Sequence, residues 1–394
     1  MSTSDDEKEG FPWHLGVYDA HCHPTDTTSS LKSIPSMKAK ALTIMSTRTE
    51  DQSLVADTAQ VHGITREDFQ TDERASWSKD RKVIPAFGWH PWFSHQIFDE
   101  TEYAGASLLS EEQKVKHYQN VLIPWPKCRD FLLSLPDPRP LGQFICQTKA
   151  YLVQYPLALI GEVGLDRSFR IPEAWLPERP GHRDDTLIPG GREGRKLSPY
   201  RVSMDHQRKI LLAQLRLAAT MRRAVSIHGV AAHGILYETI SETWKGYEKR
   251  TLSKRERLVA AAEAKAASIP LEEEGGYKSP PDPKPYPPRL CLHSFSGPAE
   301  TVRQYVAASV PCEIYFSFST TINSWSEDGV GKTESAIKII PDDRILIESD
   351  LHQAGEKMDY YLGNVAKMIC RVKGWDLSEG VRILGRNWLR FISG

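Results

Sequence analysis

Six side chains able to bind a divalent metal stand at the ends of five short apolar runs. The runs are Val17-Tyr-Asp-Ala-His21-Cys-His23, Leu159-Ile-Gly-Glu162, Val225-Ser-Ile-His228, Leu290-Cys-Leu-His293 and Ile345-Leu-Ile-Glu-Ser-Asp350. Imidazole and carboxylate together suit Mg²⁺, Mn²⁺ or Zn²⁺, and the mixture does not choose among them. A carboxylate such as Glu162, just past a fully apolar run, is costly unless it is paired or metal-bound. Its structural alternative is an ion pair with Arg167 or Arg170. His21 and His23 are two apart, so on a strand both face one side; the alternative is a pair of satisfied core histidines. His90, in Phe-Gly-Trp-His-Pro-Trp-Phe, ends another such run. It either neutralises charge developing on a substrate or packs between Trp89 and Trp92.

The elements that position these residues are short strands alternating with helices. Strands are expected near 16–20, 41–46, 83–88, 158–162, 224–228, 289–293, 313–317 and 345–349. Their near-continuous apolar character is that of a parallel sheet covered on its outer face. Helical periodicity is clearest at 205–222, 298–308, 357–372 and 378–391, and weaker at 51–62. Eight strands with intervening helices favour a closed (β/α)₈ barrel, where ligands gather at the C-terminal ends of the strands. Asp166 and Glu348 stand beside the main set as a substrate-orienting group and a second carboxylate.

The 394 residues suggest two or three domains by length alone, but a barrel with insertions absorbs them in one. A disordered segment over 1–14 is expected, followed by one barrel domain over 15–394. Three insertions interrupt it, at about 98–155, 167–201 and 244–288. The second is rich in Pro, Gly and Arg. The third begins as a charged, Ala-rich helix and ends in a Pro-rich stretch that is neither regular helix nor central strand.

Fifty Lys and Arg balance 51 Asp and Glu, a formal net charge of −1, so attraction to phosphate has to be local. Six cysteines form no Cys-x-x-Cys pair, and Cys22, Cys291 and Cys312 sit in or beside apolar runs, as reduced buried thiols do. Residues 1–10 lack the apolar core of a signal peptide, and no run of about 18 apolar residues appears. Cytoplasmic or nuclear residence, with no membrane partner, is the expectation.

The segments Asp19-Ala-His21-Cys-His23, Gly88-Trp-His90-Pro91, Gly161-Glu162-Val-Gly-Leu-Asp166, His293-Ser-Phe-Ser-Gly297 and Glu348-Ser-Asp350 together resemble the TatD family of metal-dependent deoxyribonucleases. The resemblance runs from the first strand to the last. It implies a TIM-like barrel of the amidohydrolase-type superfamily holding two divalent metal ions. His21, His23 and Asp350 would hold one ion and His228 and His293 the other, with Glu162 bridging. The long insertions resemble a fungal branch described as interacting with a subunit of the anaphase-promoting complex. Three positions depart from the family pattern. Val230 stands where an Arg usually follows the fifth-strand His, Ser294 replaces Cys, and Ser349 replaces Thr.

The chemistry so implied is phosphodiester hydrolysis of a DNA substrate by water activated between two ions roughly 3.5–4 Å apart. Asp350, Glu162 and His90 are its catalytic residues, and Asp350 orients the water and takes its proton. Arg167, Arg170, Arg179, Arg183, Arg192 and Arg195 are expected to overhang the pocket and contact phosphate. Trp89, Trp92 and Phe93 are expected near the mouth, where they could stack on bases. Two other classes share these residues. One is a metal hydrolase of another small ester or amide. The other is an interaction protein with a structural metal site, binding a protein partner through the 244–288 insertion.

Overall fold

The computed structural model describes residues 10–70, 77–173, 195–250, 284–320 and 327–394. Eight strands form one sheet: β1 Tyr18–Cys22, β2 Ala41–Met45, β3 Val83–Phe87, β4 Leu159–Asp166, β5 Val225–Val230, β6 Arg289–Leu292, β7 Glu313–Phe318 and β8 Ile345–Ile347. Every neighbouring pair is parallel and follows chain order. The sheet curls until its ends meet. The Asp350 N–H donates to the His21 carbonyl at 3.1 Å, and the His23 N–H donates to the Leu351 carbonyl at 2.9 Å. The result is a nearly closed (β/α)₈ barrel, as the alternation of elements implied.

Strands β1 to β4 and β8 are buried along their whole length, so each buries two faces. Outward residues such as Leu42, Ile44, Val225, Ile227, Phe316 and Ile345 join a core shared with the surrounding helices. Inward residues including Ala20, Met45, Ala86, Leu159, Cys291 and Tyr315 form a second core inside the barrel, closed by Trp388 and Phe391. Those two aromatics lie on helix α10, Leu377–Ser393. The α-helices of six or more described residues before it are α1 Thr49–His62, α2 Glu111–Val121, α3 Arg129–Ser134, α4 Leu141–Gln154, α5 Met204–Met221, α6 His233–Glu242, α7 Ala299–Tyr305, α8 Glu327–Ile339 and α9 Glu356–Lys373.

Two strands break the period of two, and both carry site residues. Register shifts occur between Asp19 and Cys22 on β1, and between Ile160 and Val163 on β4. Tyr18 and Ala20 belong to the inner core, yet Cys22 belongs to the outer one. Ile160 and Val163 are three apart and both outer. Each irregularity resets the alternation, so His21 and Glu162 face into the barrel instead of out. Bulges next to active sites re-aim side chains in this way.

The insertion after β3 carries α2 and α3, while α4 packs on the barrel through Tyr151, stacked on Phe87 at 4.6 Å. Of the 244–288 insertion, 251–283 lie outside the described residues, as do 174–194 of the second insertion and 1–9 of the N-terminal segment. Residues 10–14 depart from the expected disorder. Trp13–Leu15 forms a 3-10 turn, and Phe11 and Trp13 pack on the main core beside Gly363 of α9. Two aromatics in an otherwise polar segment supply the apolar area that anchors it.

Among the described residues no helix is long and apolar enough to cross a membrane. All six cysteines are free, with Cys22, Cys291, Cys312 and Cys370 buried.

Candidate metal centre

The six ligand candidates converge at the C-terminal mouth of the barrel around Glu162, which is 3% exposed. Its two carboxylate oxygens face different groups of imidazoles. Oε2 lies 3.4 Å from His21 Nε2 and 3.2 Å from His23 Nε2. Oε1 lies 2.9 Å from His228 Nδ1, 2.7 Å from His293 Nε2 and 3.1 Å from His90 Nε2. Asp350 stands on the Oε2 side, with its Oδ1 3.8 Å from both His21 and His23 Nε2. The sets His21–His23–Glu162 and His90–Glu162–His228 each bring ligand atoms close enough to hold a metal ion, as does His21–His293–Glu348. Neither Arg167 nor Arg170 pairs with Glu162, so the ion-pair alternative falls.

Backbone geometry makes this convergence possible. Gly164, at φ +153°, lets β4 approach β5 so closely that a Cβ there would meet the His228 carbonyl oxygen at 2.0 Å. Ala231, Ser294 and Asp350, just past β5, β6 and β8, all hold positive φ of 41–54°. Non-glycine residues in that region are strained, and such strain collects at functional sites.

Hydrogen bonds from outside the cluster fix which imidazole nitrogen points inward. Ser226 Oγ sits 2.8 Å from His21 Nδ1, leaving Nε2 for Glu162. Asp166 Oδ2 sits 3.2 Å from His228 Nε2, leaving Nδ1. Buried Glu348 faces His293 Nδ1 at 3.8 Å and accepts hydrogen bonds from Ser294 and Ser317, which makes it an orienting group. His90 Nδ1 accepts from the Trp92 N–H at 3.2 Å, so its Nε2 carries the proton and donates to Glu162. Neutral His90 is therefore a hydrogen-bond donor to the carboxylate. Ser226 stands two residues before His228 on the same inward row, a signal that period-two reading could have found.

The electrostatics call for positive charge. Burial alone pushes the Glu162 carboxyl up, but His90, His293 and His21 around it hold it well below the usual carboxylate range. Burial pushes His23 down, but Glu162, Asp26 and Asp350 outweigh it and raise it to about 9. His293 is likewise raised against burial by Glu162 and Glu348. Meanwhile His21 and His23 present their Nε2 atoms to each other at 3.0 Å, and His228 Nδ1 lies 3.3 Å from His293 Nε2. Nitrogen pairs this close, around a buried carboxylate, are satisfied by shared protons or by cations. The donor set fits divalent metal.

A cavity of about 740 Å³ opens over the cluster. Its wall carries the cations Arg48 and Lys357 and the rings of Trp92, Phe93 and Phe169. Among the described residues the Arg-rich loop supplies no cation to it: Arg167 and Arg170 are exposed and line no part of the cavity, nor does Arg195, while Arg179, Arg183 and Arg192 lie outside the described residues. Trp89 is also not at the mouth. It is 1% exposed, with its indole N–H donating to the Phe93 carbonyl. Arg48 and Phe169 were not foreseen, since neither stands in a periodic or clustered pattern.

An eight-stranded parallel barrel with imidazoles and carboxylates buried at its C-terminal mouth is the architecture of the amidohydrolase-type barrel class. The TatD related DNase family model matches residues 18–393, and the chain belongs to that family. It is 34% identical over 376 residues to the Cut9-interacting protein scn1 of Schizosaccharomyces pombe, covering 95% of this chain and 98% of that one. It is 27% identical over 272 residues to an uncharacterized deoxyribonuclease of Saccharomyces cerevisiae, covering 68% and 66%. Among solved structures, a TatD family hydrolase of Entamoeba histolytica shares the fold at a TM-score of 0.51 and 10% identity, covering 96% of this chain and 98% of that one. An uncharacterized amidohydrolase of S. cerevisiae does so at 0.51 and 13%, covering 96% and 99%.

Proposed function

We propose that this protein is a divalent-metal-dependent deoxyribonuclease that hydrolyses phosphodiester bonds. The observation that carries the reading is the division of Glu162. One oxygen serves His21 and His23, with Asp350 behind them, and the other serves His228 and His293. A carboxylate so placed suits a bridge between two ions, Mg²⁺, Mn²⁺ or Zn²⁺. When bound, the ions supply charge that acidifies a nucleophilic water and offsets charge on the phosphate oxygens.

The chain's own residues do the rest. Asp350 stands at the open edge of the cluster, with a 16% exposed side chain, where it can orient the water and accept its proton. His90 donates Nε2–H to Glu162 Oε1 and fixes the rotation of the carboxylate. Arg48 and Lys357 give the cavity wall two cations for phosphate oxygens. The family match and the S. cerevisiae relative named as a deoxyribonuclease support DNA as the substrate.

Metal analysis paired with cleavage of single-stranded and duplex DNA by wild type and Glu162→Gln tests this. About two ions per chain are expected in wild type, with a loss of activity of about 100-fold or more in the variant. Unchanged cleavage by the variant refutes the mechanism. Hydrolysis of a small amide or carboxylic ester, with DNA untouched, favours the other hydrolase class.

A second reading rests on scn1, whose name records an interaction with Cut9. This chain then also binds a protein partner, proposed as an anaphase-promoting-complex subunit, through the 244–288 insertion, in the cytoplasm or nucleus. Deleting residues 251–283 should abolish capture of that subunit and leave metal content unchanged; capture that survives the deletion removes the insertion from the interface.

A further inference from the structure

Trp92 is 37% exposed, although its neighbours Trp89 and Phe93 are buried. Its polar end is satisfied, because the indole N–H donates to Asp166 Oδ2 at 2.6 Å. Phe169 stacks on it face to face, with centroids 4.5 Å apart and planes 10° from parallel. The rings of His90 and His228 meet it edge-on at 4.7 and 6.0 Å. Held by all these neighbours, the indole has little freedom left to lose. Both Trp92 and Phe169 line the cavity above Glu162.

Such a ring is prepared for stacking. Each ring of the Trp92–Phe169 pair covers one face of the other, so a flat partner stacks on an outer face of this rigid pair at little entropic cost, and every nucleobase offers a π-face. The cavity volume is that of a small-molecule site. Bases inside a duplex already have their faces covered, so only an unpaired base can enter. Asp166 gives the platform a link to the chemistry, since the carboxylate oxygen that anchors Trp92 also faces His228.

We infer that Trp92 and Phe169 form a stacking platform for an unpaired nucleobase of the substrate, placing the adjoining phosphodiester over the Glu162 cluster. The inference rests on the phosphodiester reading above and narrows it to single strands or frayed ends.

The test compares two single strands of equal length, oligothymidylate and a strand of abasic residues, cleaved by wild type, Trp92→Ala, Trp92→Phe and Phe169→Ala. Wild type should favour the base-bearing strand by about tenfold or more in kcat/KM. Trp92→Ala and Phe169→Ala should lose most of that preference through KM, while Trp92→Phe keeps it. A preference undiminished in both alanine variants overturns the platform and leaves the nuclease reading standing. If wild type cleaves neither strand but cuts duplex DNA, the platform is overturned and the nuclease reading stands; if it cuts none of the three, the nuclease reading fails by itself. Thymidine 5′-monophosphate titration then decides the platform through tryptophan fluorescence: saturable quenching that disappears in Trp92→Ala supports it, and quenching absent or equal in the two overturns it. Should circular dichroism show Trp92→Ala unfolded, Phe169→Ala decides the matter, with its own nucleotide titration read from the remaining Trp92.

Discussion

Ser226 Oγ lies 2.8 Å from Nδ1 of His21, across the barrel interior from a residue 205 positions earlier in the chain. One strand thus supplies two services: β5 offers His228 to the cluster and, two residues before it, pins the imidazole of β1. With Nδ1 engaged, His21 can turn only Nε2 toward Glu162. Partners of this kind set the tautomer and ring orientation of metal-binding histidines.

Ser226→Ala should therefore weaken metal binding by about 10- to 100-fold. The fold should lose only about 1 kcal/mol, the worth of one buried hydrogen bond. Competition against a chromophoric chelator measures the first and chemical denaturation the second. Affinity equal to wild type refutes the orienting role of this hydroxyl.

Arg48 lines the cavity in which the proposed substrate would sit, with its Nε 3.6 Å from Glu50 Oε2. Its side chain is 5% exposed and lies over the Phe93 ring at 4.4 Å. Asp51 accepts from the Arg48 backbone N–H at 2.9 Å and anchors the turn. Arg48→Met keeps much of the apolar stem and removes the charge. It should raise KM for DNA about tenfold and flatten the dependence of log kcat/KM on log salt by about 0.7, one phosphate contact on a single strand. An unaltered salt slope shows that the guanidinium touches no phosphate.

The sequence made the strand ends legible because buried parallel strands are continuous apolar runs, and a charged or imidazole side chain closing each run has no ordinary reason to be there. It hid the two irregularities of β1 and β4. Nothing in Tyr-Asp-Ala-His-Cys or Leu-Ile-Gly-Glu-Val announces a register shift, although strict alternation from Leu159 would turn Glu162 outward. Arg48 was hidden for a different reason. Six arginines in one loop dominate the pattern, while Arg48 stands alone in Ser-Thr-Arg-Thr and owes its position to the β2–α1 turn. Trp89 and Trp92 look equivalent in Gly-Trp-His-Pro-Trp, and only packing buries one and exposes the other.

Three further histidines tie α2 and α5 to the turn Pro91–Gln96 after β3 and set an acid limit on stability. His117 of α2 donates Nε2–H to the His95 carbonyl at 2.8 Å, and His206 of α5 donates to the Ser94 carbonyl at 2.9 Å. Burial pushes His95 down to about 3 and His117 to about 4, each helped by neighbouring imidazoles. In the unfolded chain both titrate near 6.5. Above that value they are neutral in either state and contribute no pH dependence. Below it the unfolded chain takes up protons that the folded chain refuses, so stability falls as pH drops from about 6.5 toward 4. For His117 the loss reaches roughly 3 kcal/mol at the bottom of that window. His117→Phe removes the imidazole and keeps a buried ring. Urea denaturation at a series of pH values should show the variant weaker at pH 7, where the His95 carbonyl loses its donor. The variant should lose about 1.4 kcal/mol less per pH unit than wild type on the way down. Parallel curves for the two proteins would mean that His117 takes up its proton in the folded state and that the helix moves to let it.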